Sequence, residues 1–297
     1  MAATRREFIA SGGAVALGSA MAAGLTAGLT PSASQAARGE ARKKVNIRVG
    51  ARTGCLGRGL GPEQFDVARQ VGIEGVEIEA GQAADRLQCA DPDFQKQYLA
   101  AMEKTGVVMA SICMGLFNSN PVFADPRAKD WLIQTIDATA AFSAKSILVA
   151  FFGKGNMKEN LDARAKTVEI MKSVAGHAEK KGVVLGLENT LSAEENIEMV
   201  EKIGSPFVRV YYDVGNSFYN GYDVPKEIRL LGAKYISEMH FKDRDALLGK
   251  GKIDFAAVGR AVRDIGYDGW IVLETSSPLG PQNSSAYNAG FIRGLFA

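Results

Sequence analysis

The chain has 297 residues, 46% of them hydrophobic and 23% charged, with 35 Lys and Arg against 33 Asp and Glu. That balance fits a folded globular protein and excludes a disordered chain, a collagen and a strongly basic nucleic-acid binder. Three cysteines cannot form a complete disulfide framework, and the two histidines, His177 and His240, exclude a multi-histidine zinc cluster.

Residues 1–37 read as an export signal. Arg5 and Arg6 give a charged start, a Gly/Ala-rich and weakly apolar run extends from Ala14 to Leu29, and small residues close the segment at Ala36 and Ala37, where cleavage is expected. The paired arginines with Phe8 two places on resemble a twin-arginine signal, which implies a periplasmic or secreted protein exported already folded. The apolar run is rich in Gly and Thr and falls short of the roughly 20 strongly apolar residues of a membrane span, so no stable membrane insertion is expected.

Over residues 38–297, short apolar or β-branched runs alternate with amphipathic stretches, the pattern of a parallel sheet with crossover helices. Strands are predicted over residues 47–51, 75–78, 107–112, 146–151, 183–187, 208–212, 235–240 and 270–274. Pro62-Glu63 after Gly61 and Asp91-Pro92-Asp93 open helices, while Gly106, Gly182, Gly204 and Gly266 follow helix ends as caps. A long helix over residues 161–181 carries His177 as an ordinary outer residue and ends in Lys180 and Lys181, which suit its negative end. Eight such units predict an α/β architecture, a single (β/α)8 TIM barrel preceded by the export signal and with no second domain.

In a barrel of this kind the functional site lies at the carboxyl ends of the strands. The last four predicted strands run into Glu188, Asp213, His240 and Glu274 in turn. A carboxylate among so many apolar neighbours carries a large desolvation cost unless it is paired or bound to a cation. Taken singly, each is a solvated loop residue or a structural histidine; on four consecutive strands they are read as a metal site. Three carboxylates and one imidazole suit one hard divalent ion, manganese first and magnesium or cobalt next, better than structural zinc.

Five segments carry a family resemblance: Gly186-Leu187-Glu188-Asn189, Tyr212-Asp213-Val214-Gly215-Asn216, His240-Phe241-Lys242-Asp243, the run from Gly249 to Phe255, and the run from Gly266 to Glu274. With these the chain resembles, from about Asn46 to Ser277, the sugar isomerase and epimerase family that shares the xylose-isomerase-like barrel. That family includes tagatose and psicose epimerases, hydroxypyruvate isomerases and inosose dehydratases. The resemblance implies Glu188, Asp213, His240 and Glu274 as ligands of one divalent ion, with Glu188 and Glu274 also the catalytic acid/base pair. The related endonuclease that cuts DNA at abasic sites is excluded, because two histidines cannot supply its three zinc ions and the near-neutral charge offers no phosphate-binding surface. Ketose 3-epimerases usually carry a histidine three residues after the sixth-strand aspartate; Asn216 stands there, able to hydrogen-bond a hydroxyl but not to shuttle a proton.

The expected chemistry is proton removal next to a carbonyl through an enediolate that the ion stabilises. The leading function is therefore an exported, metal-dependent sugar isomerase or epimerase. If a leaving group sits beta to the carbonyl, the same site gives a lyase or hydratase acting on keto-sugars or 3-keto-glycosides. A non-catalytic carbohydrate-binding protein is a third reading, weakened by two opposed glutamates. The expected partner is a small unphosphorylated carbohydrate, not a nucleic acid, and association into a homo-oligomer is left open.

Glu79, Asn216 and Lys242 are the expected substrate-binding residues, with a loop salt bridge the other reading of Glu79, and with Asp243 orienting Lys242 or forming a surface pair. Glu238 shares the parity of His240 and is placed one layer deeper in the barrel, and Tyr211 is a candidate hydrogen-bond donor. Phe117, Phe151, Phe152, Phe218, Tyr219 and Tyr222 fall near strand ends, where rings stack on sugars or pack the core. Cys55 and Cys113 also fall there, which makes a disulfide between them conceivable.

Overall fold

Eight short runs rich in Val, Ile and Leu form parallel strands that hydrogen-bond in chain order, and the first pairs with the last to close a barrel. They are β1 (Ile47–Arg52), β2 (Gly75–Glu79), β3 (Val108–Met114), β4 (Ser146–Ala150), β5 (Val184–Glu188), β6 (Val208–Asp213), β7 (Ile236–Phe241) and β8 (Gly269–Leu273). The expected α/β barrel is thus found, with every strand end within two residues of its predicted place. This computed structural model describes residues 45–57, 59 and 61–297. The expected export signal over residues 1–37 lies outside the described residues.

Crossover helices follow the strands because the sequence both starts and stops them. After β1 come α1 (Thr53–Leu56) and α2 (Gln64–Gln70), then α3 (Pro92–Thr105), α4 (Ala128–Ala141), α5 (Leu161–Lys181), α6 (Ala193–Ile203), α7 (Val214–Tyr219), α8 (Val224–Tyr235), α9 (Phe255–Asp264) and α10 (Pro281–Phe296). Asp91 accepts from the backbone N–H groups of Asp93 and Phe94 ahead of Pro92, and Ser192 with Glu195 forms a capping box at α6. Gly106, Gly182 and Gly204 end α3, α5 and α6 in the left-handed conformation, as expected of C-terminal caps.

Strand alternation then divides the side chains. Outward residues such as Val49, Ile78, Ile112, Ile147 and Leu187 join the apolar faces of the helices in one large core. Inside the barrel, Cys113, Leu148, Ala150 and Tyr211 form a small apolar cluster with Phe152 packed against it, and Val272 and Ala110 meet Gly50 nearer the other end. Toward the carboxyl ends of the strands the interior is polar. Its mouth carries Arg52, Glu79, Glu188, Asp213, His240 and Glu274, and two residues earlier on the same strands lie Glu77, Tyr211 and Glu238. The pairing register shifts between Val76 and Glu77 and again between Val210 and Tyr211. Irregularities of this kind re-aim side chains, and here the two re-aimed residues meet: the Tyr211 hydroxyl donates to Glu77 Oε2 at 2.9 Å.

Cys55, Cys89 and Cys113 are all free and buried, so the considered Cys55–Cys113 disulfide is absent. Each thiol has its own neighbour instead: Cys55 donates to the carbonyls of Leu273 and Thr275, and Cys113 lies 3.6 Å from Arg52.

Candidate active site

Glu188 and Asp213 are the last residues of β5 and β6, His240 is the penultimate residue of β7, and Glu274 follows β8 directly. Pairing of Asp213 with His240 across β6 and β7 sets two of them side by side. One donor atom from each of the four residues lies within 4.8 Å of every other. His240 Nδ1 stands 3.4 Å from Glu274, 3.5 Å from Glu188 and 3.6 Å from Asp213, is fully buried, and makes no hydrogen bond. The four residues expected to converge do so.

Two cations close the cluster. Lys242 Nζ lies 2.9 Å from Asp213 Oδ2 and 2.5 Å from Glu274 Oε2. It reaches them across Gly215, where a Cβ would stand 2.5 Å from Lys242 Cγ, so any larger residue there would displace the lysine chain. Arg52, at the end of β1, pairs through its two terminal nitrogens with Glu274 and Glu79 and through Nε with Glu77 at 3.2 Å. Sequence reading missed Arg52, because β1 was expected to stop one residue short of it.

Beneath the mouth, Glu77 is completely buried and accepts from Ser111 Oγ at 2.7 Å and from Tyr211, while its other oxygen faces His240 Nε2 at 3.2 Å. Glu238 is buried beside them, one layer down as expected. Burial pushes its carboxyl well above the usual range, with the Glu77 charge adding to the effect.

The two glutamates expected to act as acid and base are set apart electrostatically. Burial lifts Glu188 to about 7, against the pull of His240. Burial also works to raise Glu274, but His240, Lys242 and Arg52 outweigh it and hold its carboxyl well below the usual range. For His240, burial disfavours the imidazolium, yet Glu77 and Glu274, with Asp213 and Glu188, hold its pKa well above the ordinary value.

Asn216, on α7, donates from Nδ2 to Glu188 Oε1 at 3.1 Å, and its backbone N–H donates to Asp213 Oδ1 at 2.6 Å. Glu79 lines a neighbouring cavity and not the pocket over the four-residue cluster. Asp243 does not orient Lys242: its buried carboxylate accepts from the Tyr219 hydroxyl at 2.6 Å and the Ile253 N–H at 3.0 Å, tying down the segment after β7. Tyr211 points into the barrel toward Glu77, below the mouth. Phe117 and Phe151 belong to the core, and of the six aromatic residues only Phe152 lines the pocket over the cluster. His177, on the outer side of α5, meets Asp137 at 3.0 Å.

The donor set fits a hard divalent cation. Among the described residues, Glu77, Glu79, Glu188, Asp213 and Glu274 face two permanent cations, Arg52 and Lys242. An imidazole nitrogen without a hydrogen bond, equidistant from three carboxylates, is placed as a ligand would be, and its other nitrogen is held by a carboxylate as metal-bound histidines usually are. The pocket over the cluster encloses about 210 Å³ and is lined by Arg52, Asn118, Phe152, Asn216 and Lys242 along with Glu188 and Glu274.

The architecture has relatives. L-ribulose-5-phosphate 3-epimerase SgbU of Escherichia coli K12, a provisional name, is 26% identical over 72% of this chain and 82% of its own. A solved L-ribulose 3-epimerase superposes with a TM-score of 0.71 at 20% identity, covering 84% of this chain and 94% of the other. The 3-keto-D-glucoside 4-epimerase YcjR of E. coli superposes with a TM-score of 0.70 at 16% identity, covering 84% and 100%. A family model described as the xylose isomerase-like TIM barrel matches residues 65–294, and the chain belongs to that family.

Proposed function

We propose that this protein is a metal-dependent epimerase or isomerase of ketone-bearing sugars, acting on the carbon next to the carbonyl. The observation that carries this reading is the convergence of Glu188, Asp213, His240 and Glu274, one from each of four consecutive strand ends, at the mouth of the barrel. The relatives' names support it chemically. A ketose 3-epimerase and a 3-keto-glucoside 4-epimerase both invert a carbon adjacent to a ketone.

Glu188, Asp213, His240 and Glu274 would hold the ion, with manganese, magnesium or cobalt suited to the oxygen-rich set. When bound, such an ion supplies Lewis-acid stabilisation of the negative charge that develops on an enediolate. The chain's own residues do the rest. Glu274, paired with Lys242 and Arg52, takes the proton from carbon, and Glu188 returns one from another side. Asn216 fixes Glu188 through its amide, and Lys242, between Asp213 and Glu274, is within reach of a substrate oxygen in the same pocket. Incubation of manganese-loaded protein with a panel of keto-sugars in deuterium oxide tests the reading by NMR. One deuterium on the carbon beside the carbonyl, with the epimer as product, is expected; no incorporation across the panel would overturn it.

We also propose that the protein works in the periplasm or outside the cell, exported through the twin-arginine route. Arg5, Arg6 and Phe8 and the small residues at Ala36 and Ala37 support this. Phosphorylated sugars are scarce there, which favours a free sugar as substrate. N-terminal sequencing of the exported protein is expected to begin near residue 37 or 38, and an intact Met1 would remove the proposal.

A further inference from the structure

Each glutamate of the acid/base pair is followed by a residue whose side chain is held from the next helix by a buried asparagine. After Glu188, Asn189 donates from Nδ2 to Oδ1 of Asn196 on α6 at 2.8 Å. Asn196 Nδ2 donates in turn to the Leu191 carbonyl at 3.2 Å and the Ser192 carbonyl at 3.0 Å. After Glu274, Thr275 Oγ1 accepts from Nδ2 of Asn288 on α10 at 3.0 Å, and Asn288 Oδ1 accepts from the Leu248 N–H at 2.9 Å. Asn196 is 5% exposed and Asn288 0%. An amide buried that deeply in a helix is costly unless it is bonded, and both asparagines spend theirs on the connection that leaves the strand.

The other two residues of the cluster are fixed by the elements they sit in. Asp213 is the N-cap of α7 and accepts from the Asn216 N–H, so the helix begins on it. His240 lies inside β7, and Glu77 holds its ring. Glu188 and Glu274 stand where the strands give out: Glu188 is the last residue of β5, and the pairing of β1 with β8 ends at Ala51 and Leu273. The Glu274 arm has a second brace from α10. Ser285 Oγ donates to the Cys55 carbonyl at 2.8 Å, and the Cys55 sulfur lies 3.3 Å from the Leu273 carbonyl and 3.4 Å from that of Thr275, bracketing Glu274.

Resting on the acid/base reading of Glu188 and Glu274 above, we infer that Asn196 and Asn288 are positioning residues, each fixing the peptide that follows one glutamate of the pair. Neither lines the pocket over the cluster. They act through the backbone, by holding each carboxylate in its place at the mouth of the barrel. A displacement of about 1 Å is enough to cost roughly a hundredfold in rate.

Thr275→Val removes the hydroxyl and keeps the shape, whereas Thr275→Ser keeps the hydroxyl and loses a methyl. Asn196→Leu removes the amide at the other glutamate, and Asn189→Ala removes the same bond from a half-buried position. Manganese affinity of the folded full-length protein, read by competition titration, is expected to fall about tenfold in Thr275→Val, Asn196→Leu and Asn189→Ala, and to stay within about twofold of the wild type in Thr275→Ser. Each variant loses some stability, so a purely structural role predicts affinity losses that follow Tm and include Thr275→Ser. That pattern, or unchanged affinity throughout, overturns the inference. For the keto-sugar that takes up deuterium fastest, kcat is expected to fall at least about tenfold in the same three variants, with KM within about twofold. A rise in KM at unchanged kcat overturns it as well. Absence of deuterium uptake in every protein, with the manganese pattern intact, overturns the acid/base reading and supports the positioning of the two carboxylates.

Discussion

Glu77 Oε1 lies 3.2 Å from His240 Nε2, a contact spanning 163 residues of sequence between two side chains that are wholly buried. Its consequence is directional. A carboxylate on Nε2 keeps a proton there, so Nδ1 is the nitrogen turned toward Glu188, Asp213 and Glu274 and the one left to bind a cation once its own proton is lost. Glu77 is itself held by Ser111 and Tyr211, so the orientation of the imidazole is fixed from β2, β3 and β6 at once. Glu77→Gln keeps an acceptor but removes the charge. Manganese affinity is expected to fall about 10–100-fold, the usual effect of losing such a partner. A competition titration checks this, and unchanged affinity would separate Glu77 from the metal site.

Arg52 supplies the counter-charge for Glu77, Glu79 and Glu274 from a site with only a quarter of its side chain exposed. Removing one partner of such a buried network leaves uncompensated carboxylates, at a cost of about 3 kcal/mol or more. Each kcal/mol lowers the melting temperature of a chain this size by about 2–4 °C. Arg52→Met is therefore expected to lower Tm in metal-free protein by roughly 6–12 °C. Differential scanning calorimetry measures it, and a shift of a degree or less would place the charge balance elsewhere.

The barrel and its four convergent residues were legible because each rests on a local pattern. Short apolar runs mark the strands, capping residues mark the helices, and a polar residue ends each of the last four strands. Arg52 and Glu77 were not assigned because their roles are set by residues distant in sequence. Glu77 looks like Glu79, two places on; what separates them is the register shift at Val76 and the presence of Tyr211 and His240 across the barrel. Asp243 failed as a partner of Lys242 for a related reason. Just beyond β7 the two side chains diverge: Lys242 turns to Asp213 and Glu274, and Asp243 meets Tyr219 and Ile253 instead.

Asp243 holds the segment from Arg244 to Asp254 against the barrel, and a Cβ on Gly251 would stand 2.2 Å from its carboxylate. Asp243→Asn presents an NH2 group to one of two donors and so loses a charge-assisted hydrogen bond of about 1.5–3 kcal/mol. Local opening of the segment is then expected to rise about 10–100-fold, since each 1.4 kcal/mol is tenfold. Tryptic cleavage at Lys250 and Lys252 follows the open population. Faster cutting there, with the rest of the chain resistant, is the expected result; an unchanged digestion rate would deny the tether.

Burial pushes the Cys55 thiol up to about 11 and the Cys89 thiol up to about 12, and lifts Cys113 well above its usual value. Only a thiolate reacts readily. Native protein is expected to consume no thiol reagent at pH 8, and protein unfolded without reductant to consume three equivalents. One equivalent after unfolding would instead reveal a bonded pair.

Glu238 gives a pH dependence with a definite sign. In the folded chain its carboxyl binds a proton well above the pH at which an exposed glutamate releases one. At low pH both states carry that proton and the group has no effect on stability. As the pH rises through the unfolded value, near 4.5, the unfolded chain ionises and the folded chain does not, so stability declines until the folded pKa is reached. Glu238→Gln removes the titration and keeps the shape. Its Tm is expected to match that of the wild type at pH 4 and to exceed it at pH 8 by at least the roughly 2–4 °C that corresponds to 1 kcal/mol. A variant equal to or less stable than the wild type at both pH values would mean that Glu238 is ionised and paired within the barrel.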